Sequence, residues 1–572
     1  MAKNIWIYSR KKNIKSVEGI ILSICEKIAP DNIIPNKPKV VVNDHVAFGI
    51  MNPTNTLLIS GNSILIGKTF GDNINWETPN NKFPDGSYAL FRDGKELCEI
   101  VSDPSASRTI WYYMNDEILI ASTSQRAIIL FIGEFQFNEK VIPWMLSTGS
   151  LGPDYSWDKR IKRIGPDSSI ILNKNNWTLS SKSNPIEFHY SKETDQKHEK
   201  NLRSAINSTF QSIKLNFKDW ILPLSGGYDS RGILCFINST DSRNVKTITW
   251  GLKSALNETG NDASVAKDLS RALKVPNKYY HTNLSKEPEE EIFNRFLLNG
   301  EGRIDQVSGY MDGFKIWKNL FEDNIHGIIR GDEGFGWGKV SSKLDVRMIT
   351  GLGLCSDYFN LTPFSNEDVF KQEIPEKLLQ RDDESLSKWR DRLYHQYRFP
   401  TILAALSDLK LSYIELVNPL LSKNILEEVR KLPDHLRTEK NLFKKIVNSV
   451  SPQIAYAKEG ATQSPSAIFK QKGIVNILGK ELSSDLAHEL FPEEFLSHVL
   501  EKINKVNTND INKTKSFSIK ALIKKNTPGN LKATIRNLIR NRMPSSNTID
   551  YNTLAFRIYI IVKMKQILES KT

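Results

Sequence analysis

The stretch Leu222-Pro-Leu-Ser225-Gly226-Gly227-Tyr228-Asp229-Ser230-Arg231-Gly232 decides the fold, because it joins an apolar run directly to a helical pattern. Two adjacent glycines let backbone N–H groups turn toward phosphate oxygens, and the hydroxyls of Ser225 and Ser230 add donors. A helix N-terminus favours negative charge, and Asp229 offers an oxygen ligand to a phosphate-bound Mg²⁺. An ordinary turn also accommodates Ser-Gly-Gly. The whole pattern predicts a phosphate-binding loop, although the Gly-Lys-Ser/Thr of a Walker A loop does not follow.

Strands and helices alternate in the sequence around this loop. Apolar runs in WILPLS, VKTITWG and KYYHTN predict strands, and the segments from Arg231 and in ASVAKDLSRALKV predict helices. That order is typical of a doubly wound parallel sheet. Short apolar runs from about Val40 to Leu172 predict antiparallel sheets, and from about Glu367 the patterns are mostly helical. We therefore predict an α/β protein with two domains, residues 1–190 and residues 191–572.

Bulk composition indicates a soluble protein with reduced cysteines. At 572 residues, 39% hydrophobic and 25% charged, the chain exceeds one core and contains no run of apolar residues long enough for a transmembrane helix. Its N-terminus lacks the apolar core of a signal peptide, so we expect a cytoplasmic location. The net charge of +13 is spread along the chain, and we expect no nucleic-acid partner. Single, scattered cysteines argue against disulfides and structural zinc: Cys25, Cys98, Cys235 and Cys355.

A second acidic cluster, Gly331-Asp332-Glu333-Gly334-Phe335-Gly336, follows the strand-like segment HGIIR. A magnesium site at the first loop needs a carboxylate from another strand end, whereas an exposed turn is the alternative for this segment alone. Together the two segments resemble the pyrophosphate-binding motifs of N-type ATP pyrophosphatases, and in particular those of the asparagine synthetase superfamily. The resemblance implies ATP as substrate and Mg²⁺ as cofactor, held by Asp229 and Asp332. It implies ATP and pyrophosphate binding by Leu224, Ser225, Gly226, Gly227, Tyr228, Asp229, Ser230, Gly331 and Lys440.

Further landmarks of that family follow in order through the C-terminal half. Glu415-Leu-Val-Asn-Pro419 is similar to its Arg-Val-Pro-Phe-Leu-Asp stretch, and Lys440 falls at its helix-starting lysine. Lys458 falls at the second lysine of its Arg-Lys-Lys-Gln-Gly-Phe loop. The resemblance implies that Lys458 stabilises the oxyanion and the anionic leaving groups of adenylate breakdown. The alternative for any single lysine in this lysine-rich chain is a solvated surface residue.

The N-terminal half resembles the family's glutamine amidotransferase domain, an Ntn-hydrolase-like αββα sandwich. The matching segments are, in order, PDGSYAL from Pro84, SDPSASRTIWYY from Ser102, ASTSQR from Ala121 and RIKRIGP from Arg160. The family's nucleophile is a cysteine freed by Met removal, but Ala2 stands there, and Ser102 replaces an expected arginine. Cys25 lies in a helical, core-like pattern. Glutaminase activity is therefore predicted to be lost, as in β-lactam synthetases and lasso-peptide macrolactam cyclases.

A second departure concerns the base of the synthetase reaction. The family often has a catalytic Glu or Tyr three residues before the magnesium aspartate, and that position is Ile329 here. Three alternatives remain open at the level of sequence. Glu415 or Tyr310 serves as the base, the amine needs no base, or the chemistry stops at the adenylate.

The leading hypothesis is an AMP-forming carbon–nitrogen ligase that adenylates a small-molecule or peptide carboxylate and joins it to an amine, as in lactam or macrolactam biosynthesis. A precursor peptide or a partner biosynthetic enzyme fits such a role. Two alternatives are ammonia- or glutamine-dependent amidation of aspartate or a sugar acid, and a non-catalytic regulatory homologue. A nitrile-forming nucleoside ligase is disfavoured, because the four cysteines are not spaced for zinc.

A basic helical pattern spans residues 531–542 near the C-terminus. It places Leu531, Ile535, Leu538 and Ile539 on one face and Lys532, Arg536, Arg540 and Arg542 elsewhere. A packed helix with a solvated face explains this pattern, and contact with a leader peptide, an acidic substrate or a membrane surface is the alternative.

Overall fold

The computed structural model describes residues 3–12, 17–72, 74–189, 191–240, 245–511 and 547–570. Ala2 and the predicted basic helix at residues 531–542 lie outside these ranges. The strands of the first part of the chain are β1 Asn4–Ser9, β2 Lys39–Val42, β3 Val46–Ile50, β4 Leu58–Ser60, β5 Ser63–Phe70, β6 Asp85–Asp93, β7 Leu97–Ser102, β8 Trp111–Met114, β9 Ile118–Ser122, β10 Lys162–Arg163, β11 Ser168–Asn173 and β12 Thr178–Ser183. Its helices are α1 Glu18–Lys27, α2 Gln125–Ile132 and α3 Val141–Thr148.

These strands form an antiparallel sandwich. One sheet has the order β10-β8-β9-β1-β3-β2 and the other β12-β11-β7-β6-β5-β4. Alternate residues of both sheets, such as Trp6, Phe48 and Phe91, form an apolar layer between them. The outer face of the first sheet packs on α1 and α2 through Ile7, Ile24 and neighbouring residues. The predicted β-rich first part is confirmed.

The second part of the chain supplies a parallel sheet and most of the helices. Its strands are β13 Trp220–Pro223, β14 Lys246–Gly251, β15 Asn277–His281, β16 Gly327–Ile329 and β17 Glu415–Val417. Its helices are α4 Asp195–Ser212, α5 Tyr228–Thr240, α6 Asp262–Ala272, α7 Glu289–Gly300, α8 Lys315–Glu322, α9 Lys343–Thr350, α10 Leu386–Leu393, α11 Ala404–Leu411, α12 Lys423–Arg430, α13 Asp434–Arg437, α14 Asn441–Val450, α15 Pro465–Phe469, α16 Lys472–Leu482, α17 Asp485–Leu490, α18 Glu493–Ile511 and α19 Tyr551–Glu569.

The parallel sheet is doubly wound. Its order is β15-β14-β13-β16-β17, and all four neighbouring pairs are parallel. Successive residues of β16 face opposite sides, since Ile328 packs in the cluster that contains α7 and α11 whereas Ile329 packs with α5 and α14. Helices therefore cover both faces of the sheet. This arrangement confirms the predicted α/β fold class.

The two parts of the chain share one apolar core. A single cluster contains Ile7 and Trp157 from the first part and Ile304, Leu409 and Met564 from the second. The predicted boundary between residues 190 and 191 falls between β12 and α4. The four cysteines are free, as predicted, and all four are buried. Within the described ranges, no helix is both long and apolar enough to cross a membrane.

Candidate functional site

The two acidic segments found in the sequence meet at the carboxyl edge of the parallel sheet. The first segment follows β13 and the second follows β16, and these strands are neighbours. The chain order reverses between them, because β14 and β15 continue on one side of β13 and β16 and β17 lie on the other. In open α/β sheets, ligands bind outside the carboxyl ends of the strands at such a switch point.

The Ser-Gly-Gly loop, residues 224–230, is held by hydrogen bonds from its own amides. The Ser225 N–H donates to Ser230 Oγ at 3.0 Å, and the Gly227 N–H donates to Ser225 Oγ at 3.3 Å. The Gly226 N–H donates to Asp262 Oδ1 at 3.0 Å. Each of these amides is therefore bonded to a different side-chain oxygen of the loop or of α6, instead of facing open space as was expected from the sequence.

Gly226 is required by packing rather than by backbone angle. A Cβ at this position would lie 2.4 Å from Ala457 Cβ and 3.0 Å from Val265 Cβ. Gly227 would meet only Ser225 Oγ, at 3.4 Å. From the sequence, both glycines were expected because their amides turn inward. For Gly226 the reason in the structure is instead the lack of space for a side chain. Its missing side chain lets the chain around Ala457 cross directly over the loop.

Asp229 and Asp332 are brought together by a close contact between the two segments. A Cβ on Gly331 would lie 3.3 Å from Asp229 Cβ and 3.4 Å from the backbone nitrogen of Ser230. Burial raises the pKa of Asp229, and the negative charge of Asp332 adds to this rise. Arg330 Nη2 donates to Asp332 Oδ1 at 2.8 Å. The two predicted metal ligands are therefore neighbours, and a guanidinium balances one of them.

Lys440 balances the other carboxylate and links it to a third. Its Nζ lies 3.0 Å from both oxygens of Asp229 and 2.8 Å from Glu333 Oε1. Burial raises the pKa of Glu333 and would lower that of Lys440, but the two carboxylates raise the pKa of Lys440 above its usual value. The ammonium therefore stays protonated while two carboxylates compete for it.

The backbone that presents Lys440 is unusual. Glu439 and Lys440 both have a φ of +59°, in the left-handed region that non-glycine residues rarely adopt. The Glu439 N–H donates to Trp337 O at 2.7 Å, and the Lys440 ammonium lies 5.9 Å from the Trp337 ring centre. Gly336 has a φ of +113° and leaves no room for a Cβ beside Arg437 O. Contacts from Gly336 and Trp337, which follow β16, thus hold the strained turn that directs the Lys440 side chain toward Asp229 and Glu333.

The Lys458 segment, residues 454–460, lies across the Ser-Gly-Gly loop. Arg231 donates from Nη1 to Ile454 O at 2.7 Å and from Nη2 to Ala455 O at 3.1 Å. The Ala457 N–H donates to Gly226 O at 3.1 Å, and the Lys458 N–H donates to Gly260 O at 3.0 Å. Lys458 is exposed. The structure therefore places the backbone of Lys458 beside the loop and leaves its side chain on the surface.

Aromatic stacking adds to this docking. The rings of Tyr228 and Tyr456 stack with centres 3.7 Å apart, and the Arg231 guanidinium lies 3.8 Å from the Tyr456 ring centre. Tyr228 belongs to the loop and Tyr456 to the Lys458 segment. The two segments are therefore joined by side chains as well as by backbone hydrogen bonds.

Glu415 does not lie at this site. It pairs with Gly327, which pairs with Trp220, so it is level with the first residue of β13 at the opposite edge of the sheet. The loop starts about four residues further along, roughly 13 Å away at the usual strand rise. Its buried carboxylate forms an ion pair with Arg108 of the sandwich. The structure thus contradicts the prediction of Glu415 as a base in this pocket.

Tyr310 ends a short 3₁₀ turn, Val307–Tyr310, on the sheet face covered by α7 and α11. It is buried, and its ring stacks on Phe314 with centres 4.7 Å apart. Burial raises the pKa of the Tyr310 phenol, and the nearby Arg330 lowers it. Tyr310 therefore lies near the second acidic segment, but as a neutral phenol it is a poor proton acceptor at neutral pH.

Three residues of the site were not predicted from the sequence. Glu333, Arg330 and Arg231 each contact a predicted site residue or its segment. Glu333 could have been found, because it adjoins Asp332 and a lysine was already expected nearby. The roles of Arg330 and Arg231 depend on contacts with distant segments, which one sequence does not reveal.

The donor set fits a magnesium–nucleotide complex. Mg²⁺ prefers oxygen ligands, and it is usually held by one or two carboxylates together with phosphate oxygens and water. Asp229 and Asp332 supply the carboxylates, and the cations now beside them show that the position attracts positive charge. Among the described residues, no cluster of three or more His, Cys, Asp or Glu side chains is arranged to hold a metal. Phosphate oxygens would have to complete the coordination.

Comparisons with known proteins assign no family to the chain. No protein-family model matches it, and no curated protein matches its sequence. Among solved structures, glutamine phosphoribosylpyrophosphate amidotransferase from B. subtilis is 10% identical, with a TM-score of 0.20, over 48% of this chain and 65% of that one. An allosteric regulatory enzyme of purine biosynthesis is 8% identical, with a TM-score of 0.21, over 49% and 81% of the two chains. Function is therefore inferred from the geometry of the site.

Proposed function

We propose that the protein is an ATP-dependent, AMP-forming ligase that activates a carboxylate as its adenylate and transfers the acyl group to an amine. One observation carries the proposal. The loops after β13 and β16 flank the switch point of the sheet and bring Asp229, Asp332 and Lys440 together beside the Ser-Gly-Gly loop. This is the arrangement expected from the resemblance to asparagine synthetases noted in the sequence.

In this proposal, each group at the site has one task. The serine hydroxyls of the Ser-Gly-Gly loop bind the pyrophosphate that leaves when the substrate carboxylate attacks the α-phosphorus of ATP, and the loop amides exchange their present side-chain acceptors for phosphate oxygens. Asp229 and Asp332 hold Mg²⁺, which supplies charge neutralisation for the phosphates when bound. Lys440 and Lys458 add positive charge for the anionic leaving groups.

The first part of the chain supports an amine that comes from a substrate and not from glutamine. Asp103 of the sandwich is buried, and its carboxylate already accepts hydrogen bonds from Tyr88, Ser105 and Ser107. Ala2 stands where the nucleophile of a glutaminase would be. Burial raises the pKa of Cys25 to about 12, which makes its thiol unreactive. The sandwich therefore acts as a structural domain in this proposal.

Isotope exchange between pyrophosphate and ATP tests the function directly. The purified protein is incubated with ATP, Mg²⁺, labelled pyrophosphate and a panel of amino acids and dicarboxylic acids. At least one acid should promote exchange, and hydroxylamine should trap the acyl group as a hydroxamate with release of AMP. Glutamine should yield no glutamate above background. Release of ADP in place of AMP, or no ATP binding by calorimetry, would contradict the proposal.

A further inference from the structure

Lys410 is a buried amine beside the proposed site. It lies on α11, near the C-terminal end of that helix, and only 5% of the residue is exposed. Its Nζ donates to Leu406 O at 2.6 Å and lies 5.6 Å from the ring centres of Tyr310 and Trp317. Burying a lysine is costly unless its charge is lost or used. The proposed function assigns no role to Lys410.

Its neighbours place Lys410 at the same edge of the sheet as the two loops. Trp317 packs edge-on against Trp250 with ring centres 5.7 Å apart. Pro223 pairs with Ile248, so Trp250, two residues later, is level with Ser225. Ile329 faces the α5 side of the sheet, so the next residue, Arg330, faces the side covered by α11. Lys410 thus lies over the carboxyl edge, close to Arg330 and Asp332.

The charges around Lys410 favour the neutral amine. Burial lowers its pKa well below the usual lysine value, and the Arg330 guanidinium lowers it further. Asp332, at the second acidic segment, and Asp408, on the same helix, act in the opposite direction. Asp408 is engaged by an ion pair with Arg303, and Asp332 by one with Arg330. Burial and the Arg330 guanidinium therefore lower the pKa of Lys410 by more than Asp332 and Asp408 raise it, because both carboxylates are already paired.

Attack by an amine that is protonated in solution needs a proton acceptor, and none of the positions at which one was predicted provides it. Ile329, at the position where a base was expected, is buried among apolar side chains, and Glu415 lies at the other edge of the sheet. Tyr310 is a neutral phenol. Among the described residues near Asp332, Lys410 is the amine whose charge state suits proton acceptance.

We propose that Lys410 is the catalytic residue that accepts a proton from the attacking amine, an inference that rests on the proposed ligase function. The ammonium form of the acceptor gives one proton to Lys410 Nζ and becomes nucleophilic. Its nitrogen then forms the C–N bond to the acyl carbon while the C–O bond to AMP breaks. The electron pair leaves on the phosphate oxygen, which also takes the second proton of the nitrogen.

Two acceptors of different basicity test this role. Hydroxylamine is neutral at neutral pH and needs no base before it attacks, whereas methylamine is protonated. The wild type and Lys410→Met are compared with the acid that gives the fastest exchange. Lys410→Met should keep pyrophosphate exchange and hydroxamate formation, but lose transfer to methylamine by about 100-fold or more. Raising the pH should partly restore transfer by the variant, because methylamine then becomes neutral in solution.

The possible outcomes separate this inference from the proposed function. No exchange and no hydroxamate with the wild type overturns the ligase function itself. Equal losses with both acceptors, or none, would show that Lys410 is structural and overturn its role as a base. A wild type that transfers to hydroxylamine but never to methylamine would also overturn it. Retained hydroxamate formation by Lys410→Met shows in the same assay that the variant is folded.

Discussion

At the scale of single residues, the site is defined by carboxylates that are already matched with cations. Asp229 and Glu333 share Lys440, and Asp332 is paired with Arg330. The Asp229 and Asp332 positions were predicted from sequence, because each lies in a glycine-containing segment that follows a predicted strand. Their cationic partners could be predicted only in part, since Lys440 came from a resemblance and Arg330 from no signal at all.

Replacing either metal-ligand candidate by its amide tests the residue scale. Asp229→Asn and Asp332→Asn keep the shape of the side chain but remove the charge that Mg²⁺ requires. Each should reduce the rate of pyrophosphate exchange by about 100- to 1000-fold, as expected for loss of one electrostatic group in a catalytic site. Circular dichroism checks that the fold is kept.

A matched control comes from an aspartate outside the site. Asp323 pairs with Lys278 on the surface, and its side chain is 51% exposed. Asp323→Asn should exchange pyrophosphate at the wild-type rate. Full activity in Asp229→Asn or Asp332→Asn would remove that residue from the metal site.

At the scale of elements, the Lys458 segment depends on α5 for its position. Arg231, in the first turn of α5, donates to two backbone carbonyls of the segment and stacks on Tyr456. A lysine cannot reproduce this planar fork. The Lys458 segment should therefore become more mobile when lysine replaces Arg231, even though the positive charge is kept.

Trypsin reports on this docking, because Lys458 is exposed within the segment. In Arg231→Lys, cleavage after Lys458 should become faster, and pyrophosphate exchange should fall by roughly tenfold, the effect of losing a charge-assisted hydrogen bond. Arg203→Lys is the control, since Arg203 donates two hydrogen bonds to Glu199 on a partly exposed helix face and one to the Ser449 hydroxyl, but none to the Lys458 segment. If both variants are cleaved at the wild-type rate, Arg231 does not hold the segment.

Elements were predicted well where local pattern decides them. The strands β13, β14 and β15 and the helix α6 fall where their apolar patterns indicated. The helix expected from Arg231 begins earlier, at Tyr228, because the last three residues of the Ser-Gly-Gly loop already form the first turn of α5. The crossing of the Lys458 segment over Gly226 was not predicted, since it depends on residues that are far apart in sequence.

At the scale of the whole molecule, buried ion pairs join the sandwich to the parallel-sheet part. Arg108 pairs with Glu415, and both side chains are almost fully buried. Burial would raise the pKa of Glu415, but Arg108 holds it below its usual value. Stability from this pair is therefore present above the unfolded pKa and lost as the pH falls through the folded value.

Removing one partner tests this coupling. Arg108→Met leaves the Glu415 carboxylate buried without its guanidinium, which should cost about 3–5 kcal/mol in the free energy of unfolding at neutral pH. The difference from the wild type should shrink as the pH is lowered through 4.5, the ordinary glutamate value, because Glu415 takes up a proton in the variant and in the unfolded chain before it does so in the folded wild type. Denaturant unfolding at several pH values measures it.

The control for this variant is an exposed pair. Lys214 and Asp72 also join distant parts of the chain, but their side chains are 77% and 80% exposed. Lys214→Met should leave the unfolding midpoint unchanged at every pH. A pH-independent effect of Arg108→Met would show that lost packing, and not the ion pair, couples the two parts.

The Arg108–Glu415 pair also has a consequence for folding during synthesis. Arg108 and Glu415 are 307 residues apart. At about 5–20 residues per second, the ribosome needs roughly 15–60 s to deliver the partner after Arg108 has been made. Ile7 and Trp157 of the sandwich are made before Ile304, Leu409 and Met564 of the same apolar cluster, so their side chains stay uncovered until those later residues have been made. We therefore expect the nascent chain to be prone to aggregation, and co-expressed chaperones should raise its soluble yield.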